Sequence, residues 1–281
     1  EPPLVAPAAP VVPDATLDAF RSDARNLEPL ATTPLGRAFL RAAATQAPVS
    51  AGEGNYGSPL SYLRAIDVLA GAGLGELAGK RVVDFGYGTI GQLRLIATLG
   101  ADAVGVDVDP TLAALYSAPG DQGAVGSGRV TLVTGRWPAL ASVRAAVGDH
   151  LDVFLSKNTL KRGYVHPALA VNPARHFDLG VDDATFLAAL HDALVPGGVV
   201  LLYNVCPAPA PPGAAYIPWS DGRSPFGRTA WDRAGFDVRE LDRDDTAAIR
   251  RVAHVLRWDQ GEDAVDVERD IFATYTLAVR R

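Results

Sequence analysis

Sulfur is nearly missing from this chain: 281 residues include one cysteine and no methionine. The lone thiol, Cys206, excludes an internal disulfide and a CxxC metal site. It leaves the compartment open and reads as a small buried apolar residue. The missing methionine has no physical account. Long apolar runs are missing too, and none reaches the ~18 residues of a transmembrane helix. Positive charge is in deficit, with 26 Lys and Arg against 32 Asp and Glu and a net charge of −6. Broad contact with nucleic-acid phosphates needs a basic field, so no nucleic-acid partner is expected. A local basic pocket stays compatible with the balance. No internal repeat and no metal-ligand spacing stand out.

Charge is absent between Glu1 and Asp14, where EPPLVAPAAPVVPDA is rich in proline and alanine. Its prolines exclude a helix, so residues 1–14 read as a flexible leader or linker. Two origins fit, the remainder of a removed signal peptide or a trimmed end. An exported and a cytoplasmic protein are both compatible with it.

What is present begins with three amphipathic segments. Leu17, Phe20, Ala24 and Leu27 recur at helical spacing. TTPLGRAFLRAAATQ opens with Thr33 placed to cap and Pro34 in the first turn; SPLSYLRAIDVLAGAG repeats the device with Ser58 and Pro59. These make residues 15–79 a helical N-terminal cap. From residue 80 strand and helix alternate. RVVDF, ADAVGVD, RVTLVTG, LDVFLS and VVLLYNV are short apolar strands; IGQLRLIATLG, PTLAALYS, residues 139–147 and DDATFLAALHDALVPGG are helices, the last ended by Pro196 and two glycines. Strands apolar on both faces belong to a parallel sheet covered by helices, and the alternation predicts a doubly wound, Rossmann-like α/β fold over 80–281. FDVRELD reads as a further strand, DDTAAIRRVAHVLRW as a helix, and IFATYTLAV as a last strand entering antiparallel at or near the sheet edge.

The stretch VVDFGYGTIGQ puts an acid, Asp84, and then Gly86, Gly88 and Gly91 between the first strand and its helix. In an open α/β sheet that is where a ligand meets the strand ends. About 20 residues on, the second strand ends in Asp107, placed to accept hydrogen bonds from a ribose. Together these read as a site for an adenosine-type cofactor. GxGxxG spacing fits a dinucleotide, yet an acid two positions before the first glycine repels a pyrophosphate and suits a cofactor carrying positive charge.

VVDFGYGTIG, GVDVDP, LDVFLS and LVPGGVVLLYN, in this order, resemble the landmarks of the class I S-adenosylmethionine-dependent methyltransferases over residues 80–205, and AGFDV resembles them more weakly. The resemblance implies a seven-stranded sheet with an antiparallel last strand, and S-adenosylmethionine converted to S-adenosylhomocysteine. It implies that Asp84, Gly86, Tyr87 and Gly88 lie under the methionine part and the sulfur, and that Asp107 and Val108 hold the ribose. Ser156 completes the cofactor set. Where the family often places an acid beside the adenine, this chain has Arg136 and Trp137. Trp137 is left between a stacking role and a core role. The third glycine falls one place later than in GxGxG.

The acceptor is expected over the ends of the first, fourth and fifth strands. SKNTLKRGYVHPALAVNPARHF, after the fourth, is dense in basic and polar groups. Lys157 and Asn158, Tyr164 and His166 are the catalytic candidates, as orienting groups and proton acceptors. Lys161, Tyr56, Tyr203 and Trp219 are candidates for binding substrate, with Asn55 and Tyr62 beside Tyr56 as groups folding over the cofactor. The basic cluster in an acidic chain suggests a small, anionic acceptor. The reading is therefore a methyltransferase acting on a small molecule. A nicotinamide-dependent oxidoreductase, which would need Asp107 but not Asp84, and a catalytically silent scaffold on the same fold are its alternatives.

Overall fold

The computed structural model describes residues 14–45, 58–172, 176–262 and 264–281. Three helices come first, α1 (Asp14–Leu27), α2 (Pro34–Thr45) and α3 (Leu63–Gly71), the last entered through a 3-10 turn at Pro59–Tyr62. Thr33 caps α2 as expected, its Oγ1 accepting from Gly36 N at 3.0 Å. Ser58 Oγ accepts from Leu60 N at 3.4 Å at the start of the turn.

Strands and helices then alternate: β1 (Arg81–Phe85), α4 (Gly91–Thr98), β2 (Asp102–Asp107), α5 (Pro110–Leu115), β3 (Gly123–Val125), β4 (Gly128–Thr134), α6 (Ala141–Val147), β5 (Leu151–Lys157), α7 (Arg162–Val165), α8 (Asp183–Ala193), β6 (Leu194–Cys206), α9 (Arg228–Arg233), β7 (Phe236–Asp244), α10 (Thr246–Val255), α11 (Val267–Asp270) and β8 (Phe272–Arg280). One sheet runs in the order β3-β4-β2-β1-β5-β6-β8-β7. β4, β2, β1, β5 and β6 are parallel neighbours. β8 lies antiparallel between β6 and β7.

The expected strands and main helices form. Among the described residues the sheet has eight strands rather than seven, because Gly123–Val125 pairs antiparallel with β4 as a short hairpin. Three residues carry too little hydrophobic period to be seen in a sequence. VPGG, expected to end a helix, instead lies inside the first half of β6, since α8 stops at Ala193.

Strand side chains alternate between two apolar layers, as a pleated strand requires. Val82, Val153, Leu155, Leu201 and Tyr203 face α1–α4 and α10. Val83, Phe85, Phe154, Val200 and Leu202 face α6, α8 and α9. The N-terminal helices thus share a core with the sheet. Arg64 on α3 grips Asp245, with Nε and Nη2 at 3.0 and 2.9 Å, and Asp245 also accepts from Tyr203 Oη at 2.7 Å. Asp67 on α3 accepts from Thr32 N, Thr33 N and Thr33 Oγ1, which fixes the start of α2.

Candidate active site

β1 delivers the chain to the glycine turn. Gly86 has φ of +76° and Gly88 of +55°, the left-handed region that favours glycine. The two differ in what surrounds them. A Cβ on Gly86 would run into the Thr159 side chain, whereas around Gly88 no described residue lies within 4 Å of that position. One glycine lets the segment after β5 close on the turn; the other leaves backbone that no described residue covers. Gly86 N donates to Val106 O at 2.7 Å, and Gly88 N donates to Asp107 Oδ2 at 3.3 Å. Asp107 also accepts from Asp109 N at 3.0 Å, so the acid ending β2 is held against the turn.

Asp84 is 0% exposed. Its Oδ2 accepts from Tyr62 Oη at 3.1 Å and Gln92 Nε2 at 3.0 Å. Its Oδ1 is buried and has no partner among the described residues. Burial raises this carboxyl to about 6, against the bonds from Gln92 and Tyr62 and the charge of Lys157, which lower it. Lys157 ends β5 on the same face, 6% exposed, with Nζ 4.9 Å from the centroid of the Tyr62 ring. Burial lowers its ammonium to about 8; Asp84 opposes the fall and Lys161 adds to it. Asp84, Lys157 and Tyr62 thus form a dry acid–base group beneath the glycine turn. An orphaned buried carboxylate oxygen beside open glycine backbone fits a ligand bearing positive charge.

Gln92 escaped the sequence reading. Its amide nitrogen donates to Asp84, Tyr87 O and Thr89 O, and its oxygen accepts from Thr89 Oγ1 at 2.9 Å. It ties the acid to the turn. The available signal was a buried-side glutamine in the first turn of a mainly apolar helix.

Other expected site residues fall in different places. Ser156 Oγ donates to Phe85 O at 3.1 Å and accepts from Leu160 N at 3.2 Å, bracing the turn from beneath. Tyr87 is buried, its ring 6.4 Å from Tyr116, so only its backbone belongs to the turn. Val108 is exposed beyond Asp107. Asn158, with φ of +66°, donates from its backbone to Tyr203 O and accepts from Val205 N on Oδ1 at 2.7 Å. Its oxygen is spent on fastening the end of β5 to β6.

The structure corrects the expectations for Tyr203 and Lys161, gives the open choice at Trp137 to the core, and finds Arg136 in a surface pair. Trp137 is 3% exposed and packs against Phe85, Phe154 and Phe186 at 5.4–6.3 Å between centroids. Its ring belongs to the core on the α8 side and is closed to an adenine. Tyr203 is fully buried, its hydroxyl taken by Asp245 and its ring stacked on Tyr275, so it is not open to substrate. Lys161 donates from Nζ to Val205 O at 2.9 Å and sits over the Tyr164 ring, which commits the ammonium that was to bind an anion. Arg136 is paired with Asp178 at 3.0 Å on the surface.

His166 is 45% exposed and its Nε2 lies 3.0 Å from both oxygens of Asp183. It lines a cleft of ≈ 540 Å³ with His176, Phe177, Asp182 and Asp183, a group that does not include Asp84 or Lys157. Trp219 is half-buried in a 3-10 turn at Pro218–Ser220. That segment joins α7 through Gly163 N and Asp221 O at 3.1 Å and Arg162 N and Arg223 O at 2.7 Å. The segments after β5 and β6 therefore form one wall. Tyr56, Asn55 and Arg175 lie outside the described residues.

No family model matches the chain and no curated protein matches it. Solved structures are similar in fold. Phosphoethanolamine N-methyltransferase 2 of Haemonchus contortus, in complex with S-adenosyl-L-methionine, aligns at 15% identity and a TM-score of 0.49 over 81% of this chain and 54% of that one. The chain thus spans about half the length of that neighbour. An S-adenosylmethionine-dependent methyltransferase of Mesorhizobium loti aligns at 20% identity and 0.46 over 81% and 100%. A TehB-like methyltransferase of Corynebacterium glutamicum aligns at 16% identity and 0.37 over 96% and 100%. The mostly parallel sheet with an antiparallel last strand agrees with what the resemblance implied, and the structure places that strand between β6 and β7. The sheet order itself is that of a Rossmann-like α/β fold. At these identities the likeness is one of fold alone, and function has to be argued from the site.

Proposed function

We propose that this protein is an S-adenosylmethionine-dependent methyltransferase acting on a small acceptor. The observation that carries the reading is the Oδ1 of Asp84, without a partner among the described residues and buried beneath a glycine turn that no described residue covers at Gly88. A bound sulfonium cofactor would supply an electrophilic methyl group. Asp84 would offset the cofactor's positive charge, and a pyrophosphate would meet repulsion there. Asp107, held at the turn by Gly88 N, would accept from the ribose hydroxyls. Gln92 and Tyr62 would keep Asp84 in place. Lys157 is the candidate base: burial brings its ammonium down to about 8, within reach of deprotonation near neutral pH. Tyr164, Trp219 and His166 belong to the wall beyond β5 and would shape or orient the acceptor.

An anionic acceptor would draw on Arg162, which is exposed, rather than on the committed Lys161. Unchanged acceptor affinity in Arg162→Ala would remove that assignment. The main test is calorimetric titration with S-adenosylmethionine, S-adenosylhomocysteine and NAD, on the wild type and on Asp84→Ala and Asp107→Ala. Micromolar binding of the two sulfur compounds is expected in the wild type, with that of S-adenosylmethionine lost in both variants. Binding of NAD alone, insensitive to Asp84, would transfer the protein to the oxidoreductases. Binding of no cofactor would leave a scaffold.

A further inference from the structure

The acid–base group under the turn has a property that the fold alone does not require. Asp84 and Lys157 are both buried on the cap face of the sheet, one at the end of β1 and the other at the end of the neighbouring β5. As an ionised pair they leave their pocket electrically neutral. Among the described residues no hydrogen bond holds the Lys157 ammonium, and the aromatic ring of Tyr62 is what faces it. The surrounding groups come from every element packed there. Asp84 lies on β1, Tyr62 precedes α3, and Lys161 follows β5 with its ammonium on Val205 O. Tyr203 stands in register with Lys157 on β6 and is held by Asp245, which Arg64 neutralises. Asp107 lies beyond Asp84. Asp84 is therefore the nearest compensating charge, and it has one free oxygen.

A sulfonium brought against that oxygen would compete with Lys157 for the same carboxylate. Two cations and one anion in a buried site is an unfavourable charge state, and the cation able to give up its charge is the ammonium. We infer that cofactor loading expels the Lys157 proton to solvent, so that this side chain is an ammonium in the free protein and a neutral amine in the loaded one. The base is then armed only when a methyl donor is present. S-adenosylhomocysteine lacks the sulfonium charge, so after transfer Lys157 takes up a proton again, and the proton removed from the acceptor has a resting place. Burial already prepares the exchange by lowering Lys157 to about 8 in the free protein. This inference rests on the proposed function and deepens it.

The test is the number of protons released on binding, read by calorimetry at pH 7.0 in two buffers of different ionisation enthalpy. Wild type is expected to release most of one proton with S-adenosylmethionine and little with S-adenosylhomocysteine. The difference disappears in Lys157→Met and in Lys157→Gln, and persists in Lys161→Met. The ligand's own amine contributes equally in all four proteins, so the comparison isolates the lysine. Equal release by both ligands, release that survives in both Lys157 variants, or release lost in Lys161→Met would each overturn the inference. The wild-type comparison of the two ligands stands even where a variant fails to fold. Binding without the difference sinks the inference alone. Failure of the wild type to bind either sulfur compound sinks the proposed function and the inference with it.

Discussion

The two faces of the sheet end differently at the carboxyl edge. On the α8 side, Phe85, Trp137, Phe154, Phe186 and Phe226 make a continuous aromatic layer up to the glycine turn. On the cap side the same strands finish in Asp84, Lys157 and Tyr203, and the polar layer continues through Asp245, Arg64 and Asp67. Both layers are buried. The first stabilises by removing apolar area from water, at about 25 cal/mol per Å². The second spends stability, because charges taken out of water are repaid only by good partners. Chemistry sits where the core departs from the apolar solution, and here the buried acid–lysine pair of Asp84 and Lys157 lies on the cap face.

Truncating each side should separate stability from binding. The largest effect is expected on the aromatic face. Trp137→Ala should lower the unfolding free energy by about 3–5 kcal/mol, as for other large aromatic truncations, and leave the affinity of the folded protein for S-adenosylmethionine unchanged. Chemical denaturation and calorimetry would read the two quantities. Lost affinity at intact stability would return Trp137 to an adenine site and erase the contrast.

Next comes the polar face. Asp84→Ala should weaken S-adenosylmethionine binding roughly 100-fold, the weight of about 2–3 kcal/mol for a lost charged partner. A matching loss in S-adenosylhomocysteine affinity would show that the carboxylate serves the amine of the ligand rather than its sulfonium.

The cost of the polar layer should itself be measurable. Asp84 stands at about 6 in the folded protein against an ordinary 3.8, so its ionisation destabilises the fold increasingly as pH rises through that interval. Lys157 stands at about 8 against 10.5, so the cost of its charge is full below about 8 and disappears as pH rises toward 10.5. Both costs are present together between about 6 and about 8. Asp84→Asn combined with Lys157→Met should therefore stabilise the ligand-free protein by about 1–3 kcal/mol at pH 7, with the gain shrinking on either side of that window. A gain independent of pH would mean that packing, not charge, was relieved.

The smallest effect is expected at His166. Its ring is half in solvent and paired with Asp183, and exposed pairs contribute about 0–1 kcal/mol. His166→Ala should change stability by less than about 1 kcal/mol and cofactor affinity by less than about twofold. A large loss of turnover at unchanged cofactor affinity would instead give the wall beyond β5 a direct part in the reaction.

The fold was largely legible because its signals are local. Thr33-Pro34 and the short β-branched runs carry their own periodicity, and the turn between β1 and α4 is written in three glycines. The hairpin strand Gly123–Val125 was not legible, because three residues have no period and pairing with β4 decides them. Within the site, Asp84, Asp107 and the glycines were legible from spacing, and Lys157 from its place after a strand. Tyr203 was misread, and Trp137 left open, for one reason. A large aromatic near a strand end serves ligand or core according to which layer closes over it, and that is a property of residues far away in sequence.

The sequence by itself determined the alternation of strand and helix, the parallel sheet with an antiparallel last strand, and the acid-and-glycine turn at the mouth of β1. Each rests on interactions within a few residues or on a repeating polarity. The tertiary structure decided which polar groups are spent and which are free. It gave Tyr203 to Asp245 and Lys161 to a backbone carbonyl, and it closed Trp137 into the aromatic layer. It left Asp84 with one oxygen unpaired beside a buried lysine. Burial and hydrogen-bond completion are sums over neighbours that the chain brings together only when folded, and those sums set the charge state on which the proposed chemistry depends.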